Sequence, residues 1–152
     1  MVMGTFESGN FCDMVHNREE PEIENRFLLA LPDSCLKRLK PHLEFVEVKS
    51  RDVLIRTGAT VEHLYFFNRG FASLVKTMRD GRMVEIGAVG PAGVVGIFSL
   101  LGVERAVWES VVQGPGNALR MSRATVAAEM ERSNALADLV RKRAGHFLGE
   151  LA

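Results

Sequence analysis

Gly90-Pro91-Ala92-Gly93-Val94-Val95-Gly96-Ile97-Phe98-Ser99-Leu100-Leu101-Gly102, followed by Arg105-Ala106 and a strand-like run to Gln113, is the stretch that decides the fold. Its glycines recur among apolar residues and lie between β-rich segments. Such a turn lets the backbone approach a ligand closely and aim successive main-chain N–H groups at it, and an arginine shortly after can meet an anion. On both sides the chain breaks into short β-rich runs, 44–48, 53–56, 63–68, 71–77, 82–89, 105–113 and 117–122, at the spacing of a sandwich or barrel. Turn chemistry separates them at Thr57-Gly58, Arg69-Gly70, Asp80-Gly81 and Gly114-Pro115-Gly116. Within one run Phe71, Ser73, Val75 and Thr77 alternate with Ala72, Leu74 and Lys76, which is the period of a strand.

Helical texture flanks this β region. Residues 21–31 place Ile23, Phe27, Leu28 and Leu31 on one side of a helix, and Leu31-Pro32-Asp33-Ser34 stops it and starts another over 35–42. Asp33 or Ser34 caps that second helix and Pro41 ends it. Beyond the β region, 123–132 carries Val126, Ala127 and Met130 at helical spacing, and Ser133 or Asn134 caps a last helix from Ala135. In that helix Ala137, Val140, Ala144, Phe147 and Leu151 follow the 3-4-3-4 spacing of a helix seam, which predicts a homodimer held by paired helices. The first twenty residues mix Gly, Ser, Asn and charges without periodicity and read as a mobile arm. The expected organisation is therefore an arm over 1–20, a β-roll domain with flanking helices over 21–134 and a dimerisation helix starting at 135–152.

The chain has 152 residues, the size of one domain with its own core. Nineteen basic residues balance nineteen acidic ones, so no bulk field draws a polyanion to the molecule. Cys12 and Cys35 form no CxxC and no cysteine-histidine cluster, and they read as reduced thiols. No basic flank leads into an apolar run at the N-terminus, and no stretch approaches about 18 unbroken apolar residues. A cytoplasmic protein without membrane insertion is expected.

In order and spacing, two helices, a β-roll with a glycine-rich turn before its last strands, and a long apolar-seamed helix resemble the effector domain of Crp/Fnr transcription regulators. The matches are Thr57-Gly58 after a strand, His63-Leu64-Tyr65-Phe66-Phe67-Asn68-Arg69-Gly70, the hairpin at Asp80-Gly81, and Val84-Glu85-Ile86-Gly87 leading into the cassette at 90–106. The resemblance implies a mainly β fold, a double-stranded β-helix or jelly roll, with two short N-terminal helices and a C-terminal dimerisation helix. It also implies a sensor role in transcription regulation with a small anionic effector. Nucleotide-binding members of that family read Gly-Glu-Leu and then Arg-Ser or Arg-Thr. The glutamate accepts the ribose 2′-OH, and the arginine and hydroxyl hold the cyclic phosphate.

Here the matching positions read Gly96-Ile97-Phe98 and Arg105-Ala106, with a shorter gap between them. The candidate ligand site is thus Gly93, Gly96, Ile97, Phe98, Arg105 and Ala106, without the ribose acceptor or the phosphate-binding hydroxyl. Cyclic AMP or cyclic GMP is expected to bind weakly or not at all, and no cofactor is expected. Arg105 either holds another anion or pairs on the surface with Glu104 or Glu109.

Other chemistries find little support. Metal enzymes of the cupin type share the roll, but they need converging histidines and a carboxylate, usually with an H-x-H pair. His16, His42, His63 and His146 form no such pair, and His63 reads as a strand-end residue. A four-cysteine iron–sulfur cluster exceeds the two cysteines present. Ser73, Ser99 and Ser110 lack a nucleophile elbow, Trp108 reads as core, and Arg141-Lys142-Arg143 reads as a solvated face. No helix-turn-helix is placed in these residues, so DNA binding by this chain alone is not expected. The competing classes are a stand-alone interaction protein that pairs with full-length relatives and a cupin-like metal enzyme.

Overall fold

The computed structural model describes residues 20–151. Its centre is an antiparallel β roll of five strands: β1 (Glu44–Val48), β2 (Val53–Ile55), β3 (His63–Thr77), β4 (Met83–Val89) and β5 (Glu109–Ser122). The strand order is β1-β5-β3-β4, with β2 also paired to β5, and the sheet does not close on itself. Among the described residues two short helices precede the roll, α1 (Arg26–Leu29) and α2 (Asp33–Leu39), the latter continued by a 3-10 turn over Lys40–His42. Two helices follow it, α3 (Arg123–Arg132) and α4 (Asn134–Glu150). The expected jelly roll with flanking helices is the observed fold, while the arm expected over 1–20 lies, Glu20 apart, outside the described residues.

The local differences have physical causes. The first helix begins at Arg26 because Asn25 caps it, its Oδ1 accepting from the Leu28 amide at 3.1 Å. Neither Asp33 nor Ser34 caps α2, which Pro32 precedes without a side-chain bond, and Pro41 sits inside the closing 3-10 turn. Ser133 caps α4 as one of the two expected residues, accepting from Leu136 at 3.2 Å.

More consequential are the strands at Arg69-Gly70 and Gly114-Pro115-Gly116, where turns were expected. The chain runs straight through both as β3 and β5, which pair with each other along their lengths. Here the glycines serve close approach rather than reversal. A β-carbon on Gly70 would strike the Gly114 carbonyl oxygen, and one on Gly116 would strike that of Arg69. The pairing register shifts in this region, as it does at β-bulges, and Pro115 is tolerated there without an N–H to donate. The true hairpin is at Asp80-Gly81, where Gly81 takes φ +85° and Met78 N donates to Arg82 O at 2.7 Å. The strand expected from Arg105 begins only at Glu109, and Arg105 makes an isolated bridge with Thr60.

One core joins helices and roll. Phe27 and Leu28 of α1, Leu64, Phe66 and Phe67 of β3, Leu119 and Met121 of β5, Val126 of α3 and Leu136 and Val140 of α4 are all buried in it. Phe27 and Phe66 meet with ring centroids 6.0 Å apart. The entry segment is held by polar bonds as well. Asn25, fully buried, donates from Nδ2 to the carbonyls of Phe67 (2.9 Å) and Gly93 (3.2 Å), while Asn68 Oδ1 accepts from the amides of Glu24 and Asn25. Glu20 and Glu24 pair with Lys40 and Arg69 at the surface.

Candidate functional site

The glycine-rich stretch does not stay an open turn. Gly96 adopts φ +92°, in the left-handed region, and starts a 3-10 helix over Ile97–Leu101 that ends at Gly102, again at φ +92°. Gly96 is also the close-packed point of this segment, since a β-carbon there would come within 2.9 Å of Leu64 Cδ2. Three sets of bonds fix the segment in place. Val95 exchanges main-chain bonds with Tyr65, Arg26 N donates to Pro91 O at 2.7 Å, and the Arg123 guanidinium donates from Nε and Nη2 to the Ser99 carbonyl at 2.9 and 2.8 Å. The return limb is zipped to the β2–β3 loop by Gly58 N to Ala106 O, Ala106 N to Ala59 O and Val61 N to Glu104 O.

All six candidate ligand residues, Gly93, Gly96, Ile97, Phe98, Arg105 and Ala106, line one cavity of about 210 Å³ inside the roll. Most of its wall is apolar. Arg105 is exposed and donates from Nη1 to the Gly58 carbonyl at 3.2 Å. Among the described residues it makes no ion pair with Glu104 or Glu109, so the surface-pairing alternative is not what the structure shows. Ile97 is buried and carries no group able to accept a ribose hydroxyl.

The roof of this cavity is the last part of α4, through Arg143, His146, Phe147 and Glu150. Phe147 stands against Phe98 and Trp108, with ring centroids 5.7 and 6.2 Å away, and Phe98 meets Trp108 edge-on at 5.6 Å and 85°. Trp108 packs against the core, as expected of it, and also forms part of the cavity wall. Arg143 likewise turns to the cavity, whereas Arg141 fits the expected solvated face and pairs with Asp138.

The seam expected to meet a twin is largely used by the chain itself. Ala137, Val140 and Ala144 are buried against the core and Phe147 roofs the cavity, which leaves Leu151 partly exposed. A 3-4 apolar spacing specifies a buried face but not whose core buries it.

Ser110, 2% exposed, also lines the cavity, whereas the buried side-chain oxygen without a hydrogen-bond partner among the described residues is Ser73 Oγ on β3. The histidines do not converge. His63 opens β3 opposite Ser122, His42 ends the 3-10 turn, His146 pairs with Glu150 at 3.2 Å, and His16 lies outside the described residues. Among the described residues no group of three or more His, Cys, Asp or Glu is placed to hold a metal ion. No helix there is long and apolar enough to cross a membrane.

A β roll with a glycine-bounded cassette on one wall of a cavity and a C-terminal helix across its mouth is the architecture of the cyclic nucleotide-binding fold. The chain belongs to the cyclic nucleotide-binding domain family, whose model matches residues 45–133. Comparison with curated proteins returns no match. Among solved structures, the regulatory subunit of a cAMP-independent protein kinase A from Trypanosoma brucei superposes with a TM-score of 0.70 at 20% identity, over 86% of this chain and 49% of that one. The N-terminal domain of a transcriptional regulator from Streptomyces coelicolor A3(2) gives 0.62 at 20%, over 86% and 94%. The catabolite activator protein of Thermus thermophilus gives 0.68 at 17%, over 82% and 59%. At these identities the likeness establishes the fold, shared by Crp/Fnr-type regulators and kinase regulatory subunits. The chain spans about half the length of the Trypanosoma brucei subunit.

Proposed function

We propose that this chain is the sensor and dimerisation part of a Crp/Fnr-type transcription regulator, that its roll cavity takes a small effector, and that the effector is not cyclic AMP. The observation that carries this reading is the cavity lined by all six candidate ligand residues and roofed by α4. A ligand entering there touches both the rigid roll and the helix that leads out of it, so occupancy is transmitted to whatever α4 contacts.

A cyclic nucleotide would set its ribose hydroxyl near Ile97 and lose a hydrogen bond worth about 0.5–1.5 kcal/mol net. With Ala106, it would also lack the hydroxyl that helps hold the phosphate. The Trypanosoma brucei subunit, described as cAMP-independent, supports the reading that this fold serves other inputs. The cavity binds and reports without catalysis in this reading, and neither cofactor nor membrane is involved. With a net charge of zero the chain by itself has no specific DNA binding.

Self-association is part of the proposal, with its contact face revised. Because Ala137, Val140 and Ala144 are consumed by the chain's own core, a second copy meets the outer side of α4, where Leu148 is 54% exposed and Leu151 41%.

The sensor reading is tested by a thermal-denaturation screen of the full chain against small metabolites, run beside Ala106→Trp, which fills the cavity. A compound that raises the wild-type midpoint and leaves the variant unmoved supports the reading. Shifts shared by both proteins throughout the panel contradict it. Light scattering over a concentration series tests association, and Leu148→Glu should shift the protein towards monomer. A wild type that stays monomeric at high concentration contradicts that part.

A further inference from the structure

We propose that the cavity selects a compact aromatic carboxylate, a ligand of one or two rings bearing a single negative charge. This rests on reading the cavity as the effector site. Size sets the first limit. A cavity of about 150 Å³ accepts benzene, and pockets for drug-sized ligands start at roughly 300 Å³. The volume here, about 210 Å³, falls between them and suits one ring or two fused rings.

The walls set the second. Phe98, Trp108 and Phe147 lie with centroids 5.6–6.2 Å apart, steeply inclined to one another, so they present both faces and edges to a planar guest. An aliphatic ligand would fill the same space without using that geometry.

Charge and hydrogen bonding set the third. Four titratable groups line the cavity beside the apolar wall: Arg105, Arg143, His146 and Glu150. Glu150, the one carboxylate of this set, is engaged by His146 at 3.2 Å. Neither Arg105 nor Arg143 makes an ion pair among the described residues. Two guanidinium groups without a carboxylate partner favour an anionic guest, and the fork of an arginine matches a carboxylate. Ser110, itself buried, is a polar residue in the same lining and offers a position for a polar substituent on the ring.

The test is isothermal titration of the full chain with naphthalene-2-carboxylate, its neutral carboxamide, guanosine and cyclic AMP. The carboxylate should bind one to one and about tenfold tighter than the carboxamide. That margin should shrink in Arg105→Ala or Arg143→Ala, whose side chains are not part of the core. Trp108→Leu should weaken both naphthalene ligands, with circular dichroism checking that the roll is intact. Equal binding of carboxylate and carboxamide, a margin unmoved by both arginine variants, or failure of the carboxylate to bind overturns the proposal. Binding of guanosine or cyclic AMP alone, lost in Trp108→Leu, overturns the aromatic-acid class and leaves the effector site standing. Silence from all four, together with a silent metabolite screen, overturns both.

Discussion

The Phe147 ring lies against Gly87: a β-carbon built on that glycine would sit 3.0 Å from ring carbons Cε2 and Cζ. The helix roof and strand β4 are therefore fitted to each other through a missing side chain. Gly87→Ala should push the ring by a few tenths of an ångström and cost about 1 kcal/mol of stability, as mild overpacking does. Hydrogen exchange should rise over residues 143–151 while β3 and β5 stay protected. Unchanged exchange in α4 would show that the roof does not depend on this contact.

Asn25 fastens the entry helix to both the roll and the cassette. Asn25→Ala removes a helix cap and leaves the Phe67 and Gly93 carbonyls without their donor, so a loss of about 2–4 kcal/mol is expected. Asn25→Asp keeps the cap acceptor but cannot donate, and it buries a charge, so it should be no better. Urea denaturation midpoints measure this. A midpoint within error of wild type in either variant would contradict the assignment.

Arg123 couples the start of α3 to the cassette by its two bonds to the Ser99 carbonyl. Arg123→Ala leaves a buried acceptor unpaired and should cost about 1–3 kcal/mol. The loosening should be greatest at 97–101, read as faster amide exchange there than elsewhere. Exchange rising evenly over the whole chain would instead mean a general loss of stability.

Cys35 is buried, which pushes its thiol above the ordinary value of 9.0. A Ser133 hydrogen bond opposes the shift, and the charge of Glu129 adds to it. In a Cys12→Ser background the thiol should resist a disulfide reagent at neutral pH until the protein is unfolded. The raised thiol favours the folded state fully below about pH 9 and loses that contribution as the pH climbs past the folded value. Rapid native-state labelling would contradict the burial.

The roll was legible in the sequence because its hairpin at Asp80-Gly81 and its strand alternation are local signals. The six cassette residues were legible as a group, and the structure puts all of them on one cavity. The straight passage through Gly70 and Gly114-Pro115-Gly116 was not. A glycine that lets two strands approach and a glycine that reverses the chain look alike until the partner strand is known. The roof was missed for a similar reason, since the spacing from Ala137 to Phe147 marks a buried face without saying that the chain's own cavity lies beneath it. Trp108 and Ser110 carry no local signal, because their place on the cavity comes only from where β5 and the residue before it run.

On the proposal that this cassette does not read a cyclic nucleotide, isothermal titration of the full chain with cyclic AMP at low salt is the decisive experiment. With Ile97 and Ala106 in place of the ribose acceptor and the phosphate-binding hydroxyl, the expected result is heat indistinguishable from dilution or a weak, unsaturated curve. A stoichiometric low-micromolar complex that disappears in Arg105→Ala would contradict the account.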